Sequence, residues 1–398
     1  MPILLVTIML SGMGFGLVLP AFLFFAENIG ASPTIAATII GAYSVGQFVA
    51  TAIWGRLSDQ YGRKPILIIS TTGLTLSYVL LAFSENLWLL AFARLMTGLM
   101  AGNLAVAMAY VSDITPIERR AQGMGYVGGA ISLGFIVGPA MGGLLGGADA
   151  ESATLLWPGL AAAGISAITA FAALFLKESR TKEQREAARA SGGPGGLEAA
   201  RRVFRRPIVA LLITVGFLTY FAMAQFETIM PLWAEARFAW GPREVGLCFT
   251  YLGLVVGFVQ AFLVGRLAPR FGEARLVMAG LTSYAIGLLI MTQAPTWPFM
   301  MFGITFTAGG GAMIITSMSS LVSSQAAEHE RGLVLGVYNS CSWLGRSVGP
   351  PVSGGLFDNV AVQAPLYGAA VIILPCLAVM TYLLRRLADP KPAPVPNK

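Results

Sequence analysis

The sequence predicts an all-α membrane protein, with twelve transmembrane helices in two pseudo-symmetric six-helix bundles. Three observations carry that prediction. Its 398 residues are 56% hydrophobic and only 11% charged, with a mean hydropathy of +0.72, where a soluble domain carries about 25% charged residues. The apolar residues gather into runs of about 20 without alternation, which is the length of a membrane helix and not the dyad of a barrel strand. Inside lipid only those two architectures satisfy every backbone polar group. The halves also repeat each other in register: Pro20 matches Pro231, Gly55-Arg56-Leu57 matches Gly265-Arg266-Leu267, Gly62 matches Gly272, and Arg120 matches Arg331. Gly125, Gly134, Gly138 and Pro139 match Gly336, Gly345, Gly349 and Pro350. Parallel repeats of this kind put a substrate site between the halves near the midplane.

In chain order the spans fall at 2–25, 35–56, 65–84, 87–111, 121–146, 155–176, 207–234, 243–266, 275–294, 297–323, 332–357 and 364–384. The first lacks a basic leader and a small-residue cleavage site, so it reads as a membrane helix and not a signal peptide. Residues 177–206 are charged and then glycine-rich (Gly192-Gly193-Pro194-Gly195-Gly196), which reads as a cytoplasmic linker. The linker separates an N-terminal bundle, 1–176, from a C-terminal bundle, 207–384, and 385–398 is a tail whose four prolines predict disorder. An even number of spans puts both termini on one side. That side holds 22 of the 26 bases; Arg237 and Arg243 fall opposite, and Arg94 and Arg346 fall inside spans. The asymmetry predicts cytoplasmic termini, and the expected location is a bacterial inner (plasma) membrane. Topology thus accounts for the net charge of +7, and nucleic-acid binding is not indicated. Cys248, Cys341 and Cys376 are scattered through apolar segments and the single His329 lies in a polar loop, so no metal site is expected.

Between spans 2 and 3 lies Gly55-Arg56-Leu57-Ser58-Asp59-Gln60-Tyr61-Gly62-Arg63-Lys64-Pro65. Its two glycines suit a sharp turn, its bases mark the cytoplasmic face, and Asp59 stands alone among them. The stretch resembles the G-x-L-a-D-x-x-G-R-K signature of the major facilitator superfamily, matched at Gly55, Leu57, Asp59, Gly62, Arg63 and Lys64. The resemblance implies a cytoplasmic gate, whose acid pairs with nearby bases and a helix end to hold the outward-facing state. The segment Asp113-Ile114-Thr115-Pro116-Ile117-Glu118-Arg119-Arg120 resembles the family's D-x-x-P-x-x-x-R, which implies that Asp113, Arg119 and Arg120 join that gate. In the second half Pro269 stands where the acid would fall.

Span 5 carries Gly125, Gly134, Gly138-Pro139 and Gly142-Gly143, fitting G-x8-G-x3-G-P-x2-G-G. Ala130, Gly134, Gly138 and Gly142 are four apart and form one smooth stripe for close helix packing. Pro139 favours a bend. The pattern resembles the antiporter signature of the drug/proton antiporters, and its near-copy in span 11 shows that packing is part of its purpose. Arg94 and Gly98 resemble the R-x-x-x-G motif of helix 4, which the family links to proton coupling.

An ionisable group inside a span is a functional candidate by default. Glu227 is the only carboxylate well inside any span. It is the expected protonation site, with Arg94 or Arg346 as its partner; the competing reading is a static ion pair that only fixes helix packing. Span 1 resembles that of the tetracycline/proton antiporters, yet it has no acid, and Ser11 stands near the family's Asp. Gln47, Asn103, Tyr220, Gln225, Tyr338, Asn339 and Trp343 are the candidate cavity residues. By resemblance over its whole length the chain is identified as a member of the drug/proton antiporter family. That implies rocker-switch export of small, largely apolar or amphiphilic molecules, with a narrower metabolite, sugar, siderophore or lipid exporter, or a uniporter, as the alternative. No G-x-x-x-x-G-K-[ST] is present, so the expected driver is the proton gradient, without a cofactor. The expected partners are a small-molecule substrate, protons and the bilayer, for a monomer that is not an enzyme.

Overall fold

The computed structural model describes residues 2–116, 119–190, 196–327 and 330–388. Glu118, His329, most of the glycine-rich stretch and the tail from Asp389 lie outside the described residues. The first half is built from α1 (Pro2–Asn28), α2 (Pro33–Tyr61), α3 (Arg63–Ala82), α4 (Leu87–Met100), α5 (Asn103–Ile114), α6 (Arg120–Leu145) and α7 (Leu156–Leu174). Two short helices, α8 (Lys182–Ala190) and α9 (Gly196–Phe204), lie in the linker. The second half has α10 (Pro207–Phe238), α11 (Pro242–Phe258), a π-helical turn (Val259–Val264), α12 (Gly265–Phe271), α13 (Glu273–Thr292), α14 (Trp297–Ser324), α15 (Arg331–Asn359) and α16 (Ala364–Ala388).

Among the described residues, 11 helical runs are long and apolar enough to cross a membrane. Helix α15 is the twelfth long one. Its 29 residues span roughly 43 Å, but Asn339, Arg346 and its serines make it more polar than the rest. It packs mainly on α10 and α2, and its Ser342, Ser347 and Ser353 are buried.

Local chemistry sets the ends. Ser32 caps α2 by accepting the Ile35 N–H, with Pro33 opening the helix. Asn86 caps α4 by accepting the Leu89 N–H at 2.9 Å. Gly62, at φ 109°, is the only residue between α2 and α3, and Gly272, at φ 81°, does the same between α12 and α13. This corrects the expectation of a longer turn: Gly55 is helical, and one residue in a backbone region open to glycine makes the whole reversal.

Span 4 is broken at Ala101-Gly102. The break frees carbonyls, and the Trp54 indole N–H donates to the Leu99 carbonyl at 2.6 Å.

The halves meet through α2 against α15 and through α6 against α11. At the end away from the linker they touch backbone to backbone. A Cβ on Gly143 would crowd Pro242 and Gly246, and one on Gly354 would crowd Pro33 and Thr34. At the linker end a Cβ on Gly125, Gly128, Gly129, Gly265 or Gly336 would meet nothing within 4 Å. The apolar core agrees. At the far end it runs from Leu17 and Phe22 into Leu232 and Trp233 of the other half, while near the linker Leu4, Ile8, Leu67, Val106 and Val111 form a separate core within the first half. The bundle is closed at the far end and parted at the linker end.

Candidate transport site and gates

The predicted gate is an ion cluster that ties the first half together. The Arg63 guanidinium is buried between two carboxylates, at 2.8 Å from Asp59 and 3.0 Å from Asp113, and it also donates to the Ser58 hydroxyl at 2.6 Å. Arg180 reaches Asp59 at 3.1 Å. Glu178 accepts the backbone N–H groups of Arg63 (2.9 Å) and Lys64 (3.2 Å). Lys64 Nζ in turn donates to the Leu174 carbonyl at 2.7 Å. A carboxylate thus caps the start of α3 and an ammonium caps the end of α7, each matched to the helix dipole it meets. Arg119 is exposed, and none of the ion pairs among the described residues includes it; Arg120 opens α6. Of the two ion pairs of Asp59, the one with Arg63 stays within the first half and the one with Arg180 ties it to the start of the linker.

Three charges lie inside the spans. Glu227 on α10 and Arg346 on α15 form an ion pair, with side chains 31% and 21% exposed. Of the two predicted partners for Glu227, the structure pairs it with Arg346. Arg94 is different. It is completely buried, and none of its guanidinium nitrogens has a hydrogen-bond partner among the described residues. Rings surround it instead: Phe22 at 4.8 Å, Tyr43 at 5.1 Å and Phe15 at 5.8 Å from the guanidinium carbon. Gly98 explains the R-x-x-x-G spacing, because a Cβ there would strike the Tyr43 backbone. Together with Gly46, which meets the backbone of Leu95 and Leu99, it brings α2, and with it the Tyr43 ring, up to Arg94.

The sequence matches the profile of the Major Facilitator Superfamily over residues 4–260 and 228–398. The chain belongs to the Major Facilitator Superfamily. It is 29% identical over 385 residues to "Tetracycline resistance protein, class C" of Escherichia coli, covering 94% of this chain and 95% of that one. To "Multidrug resistance protein 2" of Bacillus subtilis (strain 168) it is 26% identical over 374 residues, covering 94% and 92%. Its fold resembles a bacterial homologue of the human lysosomal transporter Spinster in an inward-facing and occupied conformation, with TM-score 0.79, 14% identity and 98% of both chains covered.

The glycine motif of this facilitator divides its labour. Gly134, Gly138 and Gly142 lie against the backbone of α1 at Met9, Met13 and Leu17, so the stripe is a packing seam within one half. Gly143, on a neighbouring face, meets α11 of the other half. Pro139 sits against Gly16 of α1. On α15, Gly336, Asn339, Trp343 and Arg346 follow helical spacing; Asn339 is exposed, and the Trp343 ring lies 5.9 Å from the Arg346 guanidinium. Tyr220 is half-buried on α10, whereas Tyr338 is buried against Gly216. Gln225 is fully buried where α10 meets α15 and α16, and neither of its amide atoms has a hydrogen-bond partner among the described residues. Gln47 is buried, and its Oε1 likewise has none among them. Asn103 donates to the Ser11 hydroxyl at 3.3 Å, so an amide and a hydroxyl meet where the tetracycline antiporters are expected to hold an acid.

Sequence reasoning missed Glu178 and Arg180, which fell within the linker. The cue was the run Lys177-Glu178-Ser179-Arg180 directly after a span. It also missed Asp358, which accepts both the N–H (2.9 Å) and the hydroxyl of Thr34 across the far-end contact between halves.

Proposed function

We propose that this facilitator is a proton-coupled antiporter that exports small, largely apolar or amphiphilic molecules by rocking the bundles 1–176 and 207–384 about the contacts of α2 with α15 and α6 with α11. The observation that carries the reading is the Glu227–Arg346 pair, a partly exposed carboxylate and guanidinium at membrane depth beside a parted interface. A protonated Glu227 cannot hold Arg346 by charge; an ionised one recaptures it. With the linker end in the cytoplasm, as the 22 bases on that side favour, the arrangement is inward-facing. The made pair is then the state after the proton has left inward and before the next load is carried out. The tetracycline and multidrug resistance relatives support export of drug-like cargo. The gate around Asp59, whose ion pairs reach only Arg63 of its own half and Arg180 at the start of the linker, is the disengaged form of a latch that closes against the other half when the transporter faces outward.

The test follows accumulation of tetracycline and a panel of dyes in cells lacking their own pumps. Wild type lowers accumulation, and a protonophore or Glu227→Gln at matched expression abolishes that. Continued protonophore-sensitive export by Glu227→Gln makes the pair structural and refutes its role as the switch.

A further inference from the structure

We infer that Arg94 is a recognition site for the anionic group of the exported molecule, so that the cargo is a singly charged anionic amphiphile; this deepens the transporter reading above and rests on it. Each of the other two intramembrane charges is answered by protein. Glu227 and Arg346 neutralise one another. Arg94 is the unanswered one. A guanidinium is not deprotonated in proteins and presents five N–H donors in a planar fork that matches a carboxylate or phosphate. Nε, Nη1 and Nη2 are all buried without an acceptor, and none of the ion pairs among the described residues includes Arg94. The faces of Phe15, Phe22 and Tyr43 offset part of the charge. Rings attract a cation, but none of their atoms, the Tyr43 and Tyr78 hydroxyls included, accepts a hydrogen bond from the fork among the described residues.

The position points the same way. Tyr43 lies on α2, and Gly41 of the same helix meets the Ser347 carbonyl of α15, so the cage borders the interface where the halves meet. Phe15 is half-buried and joins the cage to the half-exposed Phe135 of α6, with ring centroids 5.8 Å apart, and to Tyr43 at 4.9 Å. An apolar body can stack in this aromatic row while its anionic end reaches the fork once Phe15 and Tyr43 turn aside. The unpaired positive charge correspondingly disfavours a cationic cargo at this depth.

The test uses the full chain in lipid nanodiscs and three probes of one shape: biphenyl-4-carboxylate, the neutral biphenyl-4-carboxamide, and (biphenyl-4-yl)methylammonium. Binding is read from intrinsic tryptophan fluorescence. Wild type binds the carboxylate tighter than the amide by roughly ten-fold or more, the scale of charge-assisted hydrogen bonds, and the ammonium weakest. Arg94→Gln brings the carboxylate down to the amide and leaves the amide unchanged. Arg94→Lys, which keeps the charge and loses the fork, retains part of the preference. A merely structural arginine would lower all three probes together and leave their ratios intact. The inference is overturned if wild type shows no preference for the carboxylate, favours the ammonium, or binds none of the three; it is also overturned if Arg94→Gln keeps the preference. Should Arg94→Gln not fold, the wild-type ranking and Arg94→Lys still decide. Protonophore-sensitive export of the amide and the ammonium in place of the carboxylate would sink this inference and spare the antiport reading. Arg94-dependent carboxylate binding without gradient-driven export would do the reverse.

Discussion

Gly143→Ala should shift the transporter away from the state seen here. A Cβ on Gly143 would lie 2.7 Å from the Pro242 carbonyl oxygen, 2.9 Å from the Gly246 Cα and 3.1 Å from the Arg243 carbonyl oxygen. All three are backbone atoms of α11 or its first turn, so no side chain can turn aside. The shortest contact falls about 0.7 Å below ordinary van der Waals distance, and relieving it by moving α11 forfeits a good part of the neighbouring dispersion contacts. Overpacking of this kind costs about 1–3 kcal/mol. The cost applies only while the far end is closed, because parting the halves there removes the clash. The ratio of far-end-closed to far-end-open molecules should therefore fall roughly 5- to 150-fold. The assay is a distance distribution between spin labels at positions 88 and 297, both exposed on opposite halves, in a protein whose three cysteines have been replaced. Gly125→Ala is the control, since its Cβ meets nothing within 4 Å, and it should not populate the far-end-open state. An unchanged distribution in Gly143→Ala, or an equal shift in Gly125→Ala, would refute the assignment of Gly143 to the far-end gate.

Gly138→Ala should behave differently. Its Cβ would lie 2.7 Å from the Met13 carbonyl oxygen, within the same half, so thermal stability should drop by about 1–3 kcal/mol without a change in the label distances. Glu178→Ala removes the cap on α3 and should cost about 0.5–2 kcal/mol, seen as a lower midpoint in thermal unfolding; a midpoint equal to wild type would mean solvent replaces the cap. Asp358→Asn weakens the acceptor at the start of α2 and should loosen the far end by about 0.3–1 kcal/mol, read as greater labelling of a cysteine at position 37, which is buried beside Gly354. In a double-mutant cycle, Glu227→Gln and Arg346→Met should each destabilise by less than the roughly 3–5 kcal/mol of a fully buried pair, and the double variant by less than their sum. Strict additivity would show that the two groups do not interact.

Much of the fold is legible because lipid makes one demand of every span, and twenty apolar residues answer it without reference to neighbours. Departures occur where a neighbour decides. The break at Ala101-Gly102 is supported by Trp54, which is remote in sequence and takes up a carbonyl there. Helix α15 can be long and polar because α10 and α2 cover two of its sides and take the place of lipid there. For the site, residue type identified the three interior charges, but only the packing of α10 on α15 brings Glu227 to Arg346. The same packing leaves Arg94 to its rings.

Arg63 shows why motif and mechanism separate. As a basic residue beside a span it satisfies a topology rule, and a topology base needs only to stay in water. The structure buries it under two carboxylates from α2 and α5. Its backbone N–H is held by Glu178, from beyond the end of α7. A buried guanidinium stripped of one carboxylate is costly, so Asp59 cannot leave Arg63 for the other half without a substitute acceptor. Asp113 already supplies one on the opposite side of the fork. In the latch proposed above, the acid at position 59 is thereby free to exchange partners while Arg63 keeps Asp113.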